Sequence, residues 1–211
     1  MLSECGFLPH LECAMMRPGE SEIIYGRLLI LFDDFARRRY PALKVHAVTI
    51  DHGLRPQAAG EARRVGEIAA RLGVPHTVRK WEGDKPRTGI IDAAREARHL
   101  LLAEAAVKAG TDLVLTGHTL DDQAETVAMR GARGAGRGAA GMADATLHDW
   151  CTWFVRPLIG ERRSALRAVL EARGIDWIDD PTNQDMRYER ARVRAAIVAA
   201  ERPTRSRARS P

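Results

Sequence analysis

The sequence contains little cysteine, no long apolar segment and no basic leader. Its three cysteines, Cys5, Cys13 and Cys151, form no Cys-x-x-Cys pair. This odd, sparse set argues against a disulfide framework and against a cysteine-ligated zinc or iron–sulfur centre. No apolar run approaches the roughly 18–20 residues that span a bilayer. The first residues include Glu4 and Glu12 and no basic segment, so no signal peptide is predicted. We therefore expect a cytoplasmic protein with no membrane partner.

The composition is typical of a globular protein with a modest excess of positive charge. Of the 211 residues, 45% are hydrophobic and 29% are charged, enough for one ordinary domain with a small appendage. The 33 Lys and Arg residues exceed the 28 Asp and Glu residues, which gives a net charge of +5. This excess is compatible with a polyanionic partner but does not establish one.

Helical and strand-like patterns alternate along the chain. Helices are predicted at about 23–39, 58–72, 90–109, 124–130, 162–173 and 186–200. Strands are predicted at about 43–50, 76–81, 112–115 and 153–158, with a further short strand within 5–16. Strands that alternate with helices in this way predict an α/β fold. We expect a parallel sheet with right-handed crossovers and helices on both faces.

A polar turn follows one predicted strand and leads directly into a helix. This turn, Thr116–Thr126, contains His118, Asp121, Asp122 and Glu125. In an open parallel sheet, ligands bind at the carboxyl ends of the strands, where this turn is expected to lie. Its carboxylates could coordinate magnesium, which prefers oxygen ligands and substrate phosphates. The histidine could position a phosphate.

A structural interpretation of the same turn stays open beside the functional one. Thr119 is followed three residues later by Asp122, which is the spacing of a capping box. Carboxylates at a helix N-terminus also interact favourably with the helix dipole. Asp122 is therefore predicted either to cap the helix or to act in a site, whereas the turn as a whole favours a site.

A second polar turn, Asp51–Arg55, follows a different predicted strand. Both turns are expected at the same edge of a parallel sheet, where they could share one ligand. His52 would then be a ligand-binding residue rather than an ordinary turn residue. On a later helix, Arg95 and Arg98 are three residues apart and share a face. They either bind a ligand or form a solvated surface.

Two arginine-rich segments are candidates for contact with a phosphate backbone. Residues 130–138 alternate glycine with arginine, so backbone N–H groups can approach a phosphate while the arginines supply charge. A basic stripe on the last helix is formed by Arg187, Arg190, Arg192 and Arg194. Each segment is predicted to be either an anion-binding face or solvated surface.

Several of these segments match the sequence motifs of a known family and occur in the same order. They are Asp51–Arg55, Ala94–Arg98, Gly117–Thr126, Arg130–Gly131, Arg156–Leu158 and Asp180–Asn183. Together they resemble the N-terminal domain of the tRNA(Ile)-lysidine synthases, which belong to the PP-loop (N-type) ATP pyrophosphatases. The resemblance covers residues 28–195. It leaves a degenerate N-terminus over residues 1–27 and a basic, disordered tail over residues 196–211.

The resemblance implies an adenine nucleotide α-hydrolase-like fold with a short helical C-terminal extension. It also implies a two-step reaction in which ATP adenylates the C2 oxygen of the wobble cytidine of tRNA(Ile), and the amine of L-lysine then displaces AMP. The implied catalytic residues are Asp121, Asp122, Arg98 and His118. The implied ATP-binding residues are His52, Gly117, Glu125 and Thr126. The implied tRNA-binding residues are Arg55, Arg95, Arg130 and Arg133. Mg²⁺ is implied as a cofactor that neutralises the phosphates, with Asp122 as its ligand.

One family motif has no counterpart in the sequence. The family's phosphate loop, Ser-Gly-Gly-x-Asp-Ser, holds pyrophosphate with backbone N–H groups. The corresponding stretch, Glu20–Tyr25, has neither Gly-Gly nor Asp-Ser and contains two carboxylates. Shifting the frame to Arg17–Glu22 recovers a single glycine. We therefore predict weak or absent ATP binding by the chain as written.

Two alternatives to an active ligase follow from this departure. The first is a catalytically impaired remnant, or a tRNA-binding module that lacks a working phosphate loop. The second is another PP-loop enzyme, such as a tRNA sulfur-transfer enzyme. The absence of Cys-x-x-Cys pairs argues against the second alternative.

Overall fold

The computed structural model describes residues 14–16, 22–54, 58–134, 140–174, 186 and 189–201, with side chains from residue 28 onward. Several predictions lie outside these residues. They concern Arg55, Arg137, Asp180–Asn183, Arg187 and the tail from residue 202. Among the described helices, none is long and apolar enough to cross a membrane.

The described residues include six strands and six helices. The strands are β1 Ala14–Met16, β2 Ala47–Asp51, β3 His76–Lys80, β4 Leu113–Leu115, β5 Ala145–His148 and β6 Thr152–Val155. The helices are α1 Glu22–Arg39, α2 Ala58–Leu72, α3 Ile90–Ala109, α4 Leu120–Ala132, α5 Arg163–Glu171 and α6 Glu189–Glu201. The bounds predicted for α2 and α3 are confirmed. The strand predicted from residue 43 begins at Ala47, and the helix predicted from residue 186 begins at Glu189.

The strands form two three-stranded sheets that lie side by side. The first has the order β1-β2-β3 and is entirely parallel. The second has the order β4-β6-β5, with β4 parallel to β6 and β5 antiparallel to β6. Strand β1 contacts β4, so the two sheets meet at these strands. The α/β fold with a largely parallel sheet is therefore confirmed.

The hairpin of β5 and β6 was not predicted. Its turn places Asp149 at φ 45° and Trp150 at φ 58°, a backbone region that usually calls for glycine or asparagine. Because the turn contains neither residue, the sequence gives no hairpin signal. The four residues of β5 are also largely exposed, so they lack the apolar alternation of a half-buried strand.

Helices pack on both faces of the sheet around the central strand β2, all five residues of which are buried. On one face, Val48 and Ile50 pack against helix α3. This cluster comprises Val48, Ile50, Leu102, Ala106, Val114 and Phe154. On the other face, Ala47 packs against α1 and α2, in a cluster of Leu29, Ala36, Val45, Ala47, Ala69 and Val74. Since the first cluster draws residues from β2, β4 and β6, helix α3 ties the two sheets together.

Phe154 is the largest side chain of this α3 cluster and is 1% exposed. We predict that Phe154→Ala lowers the free energy of unfolding by about 3–5 kcal/mol, because a ring-sized cavity opens between α3 and the sheet. Trp150→Ala is the matched control, since Trp150 lies in the same hairpin and is 93% exposed. It should change stability by no more than about 0.5 kcal/mol. Urea unfolding followed by circular dichroism measures both, and equal effects would contradict the packing described.

Candidate functional site

The turn between β4 and α4 is held by a capping box. Thr119 is the N-cap of α4, and its hydroxyl donates to Asp122 Oδ2 at 2.6 Å. The same Oδ2 atom accepts from the Thr119 N–H at 2.8 Å, and the Thr119 hydroxyl accepts from the Asp122 N–H at 3.5 Å. The capping role predicted for Asp122 is confirmed. Both side chains are almost fully buried, so this cap is part of the protein interior.

Arg163, the first residue of α5, joins the start of that helix to the start of α4. Its backbone N–H donates to Asp121 Oδ2 at 2.7 Å. Its guanidinium donates from Nη2 to Asp122 Oδ1 at 3.1 Å. The N–H of Leu120 completes the junction by donating to the carbonyl of Glu161 at 2.9 Å. Both adjacent aspartates of the turn are therefore oriented by one residue that is distant in sequence.

Glu125 lies one turn further along α4 and is 1% exposed. Arg194 binds it with two hydrogen bonds, from Nε at 2.6 Å and from Nη2 at 3.1 Å. Arg190 Nε lies 3.3 Å from Glu125 Oε2, and Arg163 Nη2 lies 3.6 Å from Oε1. Three guanidinium groups therefore surround one buried carboxylate. Such a charge needs close cationic partners, because desolvation of an unpaired carboxylate is very costly.

The ion pair with Glu125 shifts the pKa of Arg194. Burial lowers the pKa of Arg194, but the hydrogen bonds and attraction from Glu125 outweigh burial, so the net pKa is raised. Arg194 therefore keeps the positive charge of an arginine in spite of its burial. The carboxylates Asp121, Asp122 and Glu125 are balanced by Arg163, Arg190 and Arg194, three charges against three, and the cluster is close to neutral. We call these six residues the carboxylate–arginine cluster.

The arginines of the basic stripe predicted on the last helix do not share one environment: two face α4 and one is exposed to solvent. Arg190 and Arg194 point at α4, where Arg190 Nη2 also donates to the Thr126 hydroxyl at 3.3 Å. That hydroxyl donates to the carbonyl of Asp122 at 2.7 Å. Arg192, in contrast, is exposed and donates to the carbonyl of Met186. The solvated-face interpretation is therefore wrong for Arg190 and Arg194, whose side chains are 23% and 22% exposed.

His118 and Gly117 lie between the end of β4 and the cap of α4. His118 Nδ1 is 2.8 Å from the hydroxyl of Thr116, and the Thr116 N–H donates to the carbonyl of Val155 at 2.8 Å. Gly117 is buried, and His118 is half-buried. The imidazole is thus anchored at the carboxyl end of β4, where the fold places ligands.

The turn after β2 makes its own local contacts. Asp51 Oδ1 accepts from the Gly53 N–H at 2.8 Å, and Gly53 has φ 64°, which a glycine tolerates without strain. His52 is 8% exposed, and its ring stands edge-on to Trp81 with centroids 6.0 Å apart. The contacts described for His52 and His118 involve separate neighbours. A ligand shared by the two turns therefore stays a prediction.

The two arginines predicted together on α3 occupy different environments. Arg98 is 5% exposed, on the buried face of α3 that also carries Leu102. Arg95 is exposed and lies close enough to Arg156 to lower its pKa, although burial is the larger cause of that shift. Arg156 is held by the carbonyl of Ala143 at 2.8 Å and by the hydroxyl of Thr146. The solvated-face interpretation therefore fits Arg95 and not Arg98.

The arginines at the end of α4 both contact other parts of the protein. Arg130 Nη1 donates to the carbonyl of Gly141 at 2.5 Å, and Arg133 forms an ion pair with Glu189. The side chain of Gln123 holds the same loop through the N–H and carbonyl of Met142. Contact of Arg130 and Arg133 with tRNA stays a prediction, and it would have to coexist with these bonds.

The described residues do not fit a magnesium ion at Asp122. Both of its carboxylate oxygens accept hydrogen bonds, Oδ2 from Thr119 and Oδ1 from Arg163. Within the part of the chain that the structure describes, no group of three or more His, Cys, Asp or Glu side chains could hold a metal. The turn is neutralised by arginines, and Arg163 is the site residue that sequence reasoning missed. Its partners lie about 40 positions away (separations 41 and 42), beyond the reach of any local pattern.

We predict that Glu125→Ala lowers the free energy of unfolding by about 3–5 kcal/mol, because Arg194 and its neighbours then lose their buried counter-charge. The matched control is Glu201→Ala, which breaks an ion pair with Arg162 in which both side chains are about half exposed. That change should cost at most about 1 kcal/mol. Urea unfolding at low and high salt measures both variants. A Glu125→Ala effect as small as the control would refute the buried cluster.

Curated relatives of this sequence are tRNA(Ile)-lysidine synthases. The protein from Mesorhizobium japonicum is 53% identical over 177 residues, which cover 81% of this chain and 39% of that protein. The protein from Rhizobium meliloti is 46% identical over 185 residues, covering 83% of this chain and 41% of that protein. The protein from Rhodopseudomonas palustris is 50% identical over 169 residues, covering 79% of this chain and 48% of that protein. The chain therefore spans less than half the length of these relatives.

A solved structure and a family model agree with these relatives. The U34-tRNA thiolase NcsA from Methanococcus maripaludis matches with a TM-score of 0.72 at 15% identity, over 90% of this chain and 66% of that protein. At this identity the match supports the fold alone. The family model for the PP-loop domain matches residues 27–201. The predicted resemblance to the N-terminal part of the tRNA(Ile)-lysidine synthases is confirmed, and the chain belongs to the PP-loop family.

Proposed function

We propose that this chain corresponds to the ATP-dependent catalytic domain of a tRNA(Ile)-lysidine synthase, with a phosphate-loop segment that departs from the family pattern. The observation that carries the proposal is the 53% identity over 177 residues with a synthase of that name. The family match over residues 27–201 includes the whole turn between β4 and α4. That turn has the position and the polar side chains that an α/β fold uses for ligands.

The proposed reaction has two steps that share one intermediate. The C2 oxygen of the wobble cytidine attacks the α-phosphorus of ATP, and pyrophosphate leaves. The amine of L-lysine then attacks C2, loses a proton, and AMP leaves with the oxygen. Both steps place negative charge on phosphate oxygens, so catalysis depends on positioned cationic and hydrogen-bonding groups.

The site residues are proposed to divide between phosphates and tRNA. His118 is anchored through Thr116 at the carboxyl end of β4, which favours a role beside the nucleotide. Arg98 is proposed to face the same edge, because it lies in the N-terminal half of α3. Asp121 and Asp122 are proposed to shape the turn for substrate. Arg55, Arg95, Arg130 and Arg133 are proposed to bind the tRNA.

ATP binding is proposed to depend on the segment between β1 and α1. Helix α1 begins at Glu22, so the frame Glu20–Tyr25 would lie largely within the helix. The frame Arg17–Glu22 overlaps the helix only at its last residue and is therefore the better counterpart of the phosphate loop. It retains Gly19, and four substitutions (Arg17→Ser, Pro18→Gly, Ser21→Asp and Glu22→Ser) would give it the family pattern.

We predict that the unmodified chain binds Mg-ATP with a Kd weaker than about 1 mM, and that these four substitutions tighten binding by about tenfold or more. The physical reason is that two adjacent glycines let backbone N–H groups approach the phosphates. The number of carboxylates in the segment is unchanged, since Glu22→Ser removes one and Ser21→Asp adds one. Isothermal titration calorimetry measures both proteins. Micromolar binding by the unmodified chain would overturn the prediction.

The proposed activity is tested by mass spectrometry of the wobble nucleoside after incubation with ATP, Mg²⁺, L-lysine and a tRNA(Ile) transcript. We expect lysidine with the four-substitution protein and little with the unmodified chain. Adding Asp122→Ala should abolish the product. Because it removes both the cap acceptor and the buried partner of Arg163, it should also lower the free energy of unfolding by about 3–5 kcal/mol, so circular dichroism must show that the variant is folded. Tight tRNA binding without lysidine from either protein would favour the tRNA-binding module instead.

A further inference from the structure

Arg163 is the cationic residue that contacts every carboxylate of the carboxylate–arginine cluster. The side chain of Arg163 lies within 3.1 Å of Asp122 Oδ1 and 3.6 Å of Glu125 Oε1. Its backbone N–H binds Asp121 at 2.7 Å. One residue therefore contacts all three carboxylates of the turn. A bound divalent metal would draw on the same oxygens, because hard cations prefer carboxylate ligands.

The surroundings make some cation obligatory at this position. The side chains of Asp122 and Glu125 are 6% and 2% exposed, and that of Arg163 is 12% exposed. Carboxylates this well removed from water need a compensating positive charge. Arg194 and Arg190 neutralise Glu125 through direct contacts, but the contact on Asp122 Oδ1 comes from Arg163. Since an arginine is charged at all accessible pH values, this compensation is permanent.

We propose that Arg163 is a positioning residue that takes the place of a divalent cation at the Asp121–Asp122 turn. It fixes both aspartates in one orientation and prevents a metal from settling there in the absence of substrate. Magnesium then reaches the site with the phosphates of the nucleotide rather than as a resident ion. The consequence for catalysis rests on the proposed function, whereas the consequence for metal binding does not.

The test is Mn²⁺ binding in the absence of nucleotide, followed by electron paramagnetic resonance of the free ion. The wild-type chain should show no Mn²⁺ site tighter than about 1 mM. Arg163→Gln removes the charge and should create a site that binds at least about tenfold more tightly, because Asp122 Oδ1 loses its cationic partner while Glu125 stays bound to Arg194. Arg163→Lys keeps a positive charge and should resemble the wild type.

Two controls separate this effect from general loss of charge or of fold. Arg162→Gln removes the same charge at the neighbouring residue, whose partner Glu201 is exposed, and should create no site. Adding Asp122→Asn to Arg163→Gln should remove the new site. Far-ultraviolet circular dichroism establishes that each variant is folded.

Two results would overturn the proposal. One is a wild-type Mn²⁺ site that Asp122→Asn eliminates, since a metal would then share the turn with Arg163. The other is a folded Arg163→Gln protein that binds Mn²⁺ no better than the wild type. If Arg163→Gln does not fold, Arg163→Met replaces it, since methionine is also uncharged and fills a similar space, and the same gain in Mn²⁺ binding is expected. Failure of lysidine formation would leave these binding results unchanged, so the two proposals fail separately.

Discussion

The burial of Glu125 is the constraint on which the rest of the site depends. A carboxylate that is 1% exposed is stable only beside fixed positive charge. The chain supplies this charge from Arg163 on α5 and from Arg190 and Arg194 on α6. Docking of α5 and α6 onto α4 is therefore an electrostatic requirement of the turn after β4. The same helices that close the domain also determine the charge that the turn presents.

The capping role of Asp122 is compatible with the proposed role of the turn in a site. Asp122 uses one oxygen to cap α4 through Thr119 and the other to receive Arg163. Helix α3 packs against residues of β2, β4 and β6, which holds the sheet behind this turn rigid. A polar turn of this kind can present His118 and the Asp121 carboxylate in fixed positions. Positioned groups of this type are what the proposed adenylation would require.

Local patterns predicted much of this architecture. The 3.6-residue periodicity and the glycine stop at Gly110 gave the bounds of α3, and the Thr119–Asp122 spacing gave the capping box. The hairpin of β5 and β6 was not predicted, because its turn has Asp149 and Trp150 at the positions with positive φ, where glycine is usual.

The partners of the turn could not be predicted in the same way. Glu125 and Arg194 are 69 positions apart, and nothing in the local sequence distinguishes Arg194 from the exposed Arg192. Which arginine of a helix faces inward depends on how that helix docks, which is a property of the whole fold. Chemistry that depends on distant pairs, such as the neutralisation of Asp122 by Arg163, therefore requires the structure.

The most direct test of the central claim is the hydrogen exchange of arginine Nε–H groups, measured by ¹⁵N NMR. The account predicts that the Nε–H of Arg194, which lies 2.6 Å from the buried Glu125 carboxylate, exchanges at least about tenfold more slowly than that of the exposed Arg162. Glu125→Ala should abolish the difference. Equal exchange rates for Arg194 and Arg162 in the unmodified chain would contradict the buried carboxylate–arginine cluster.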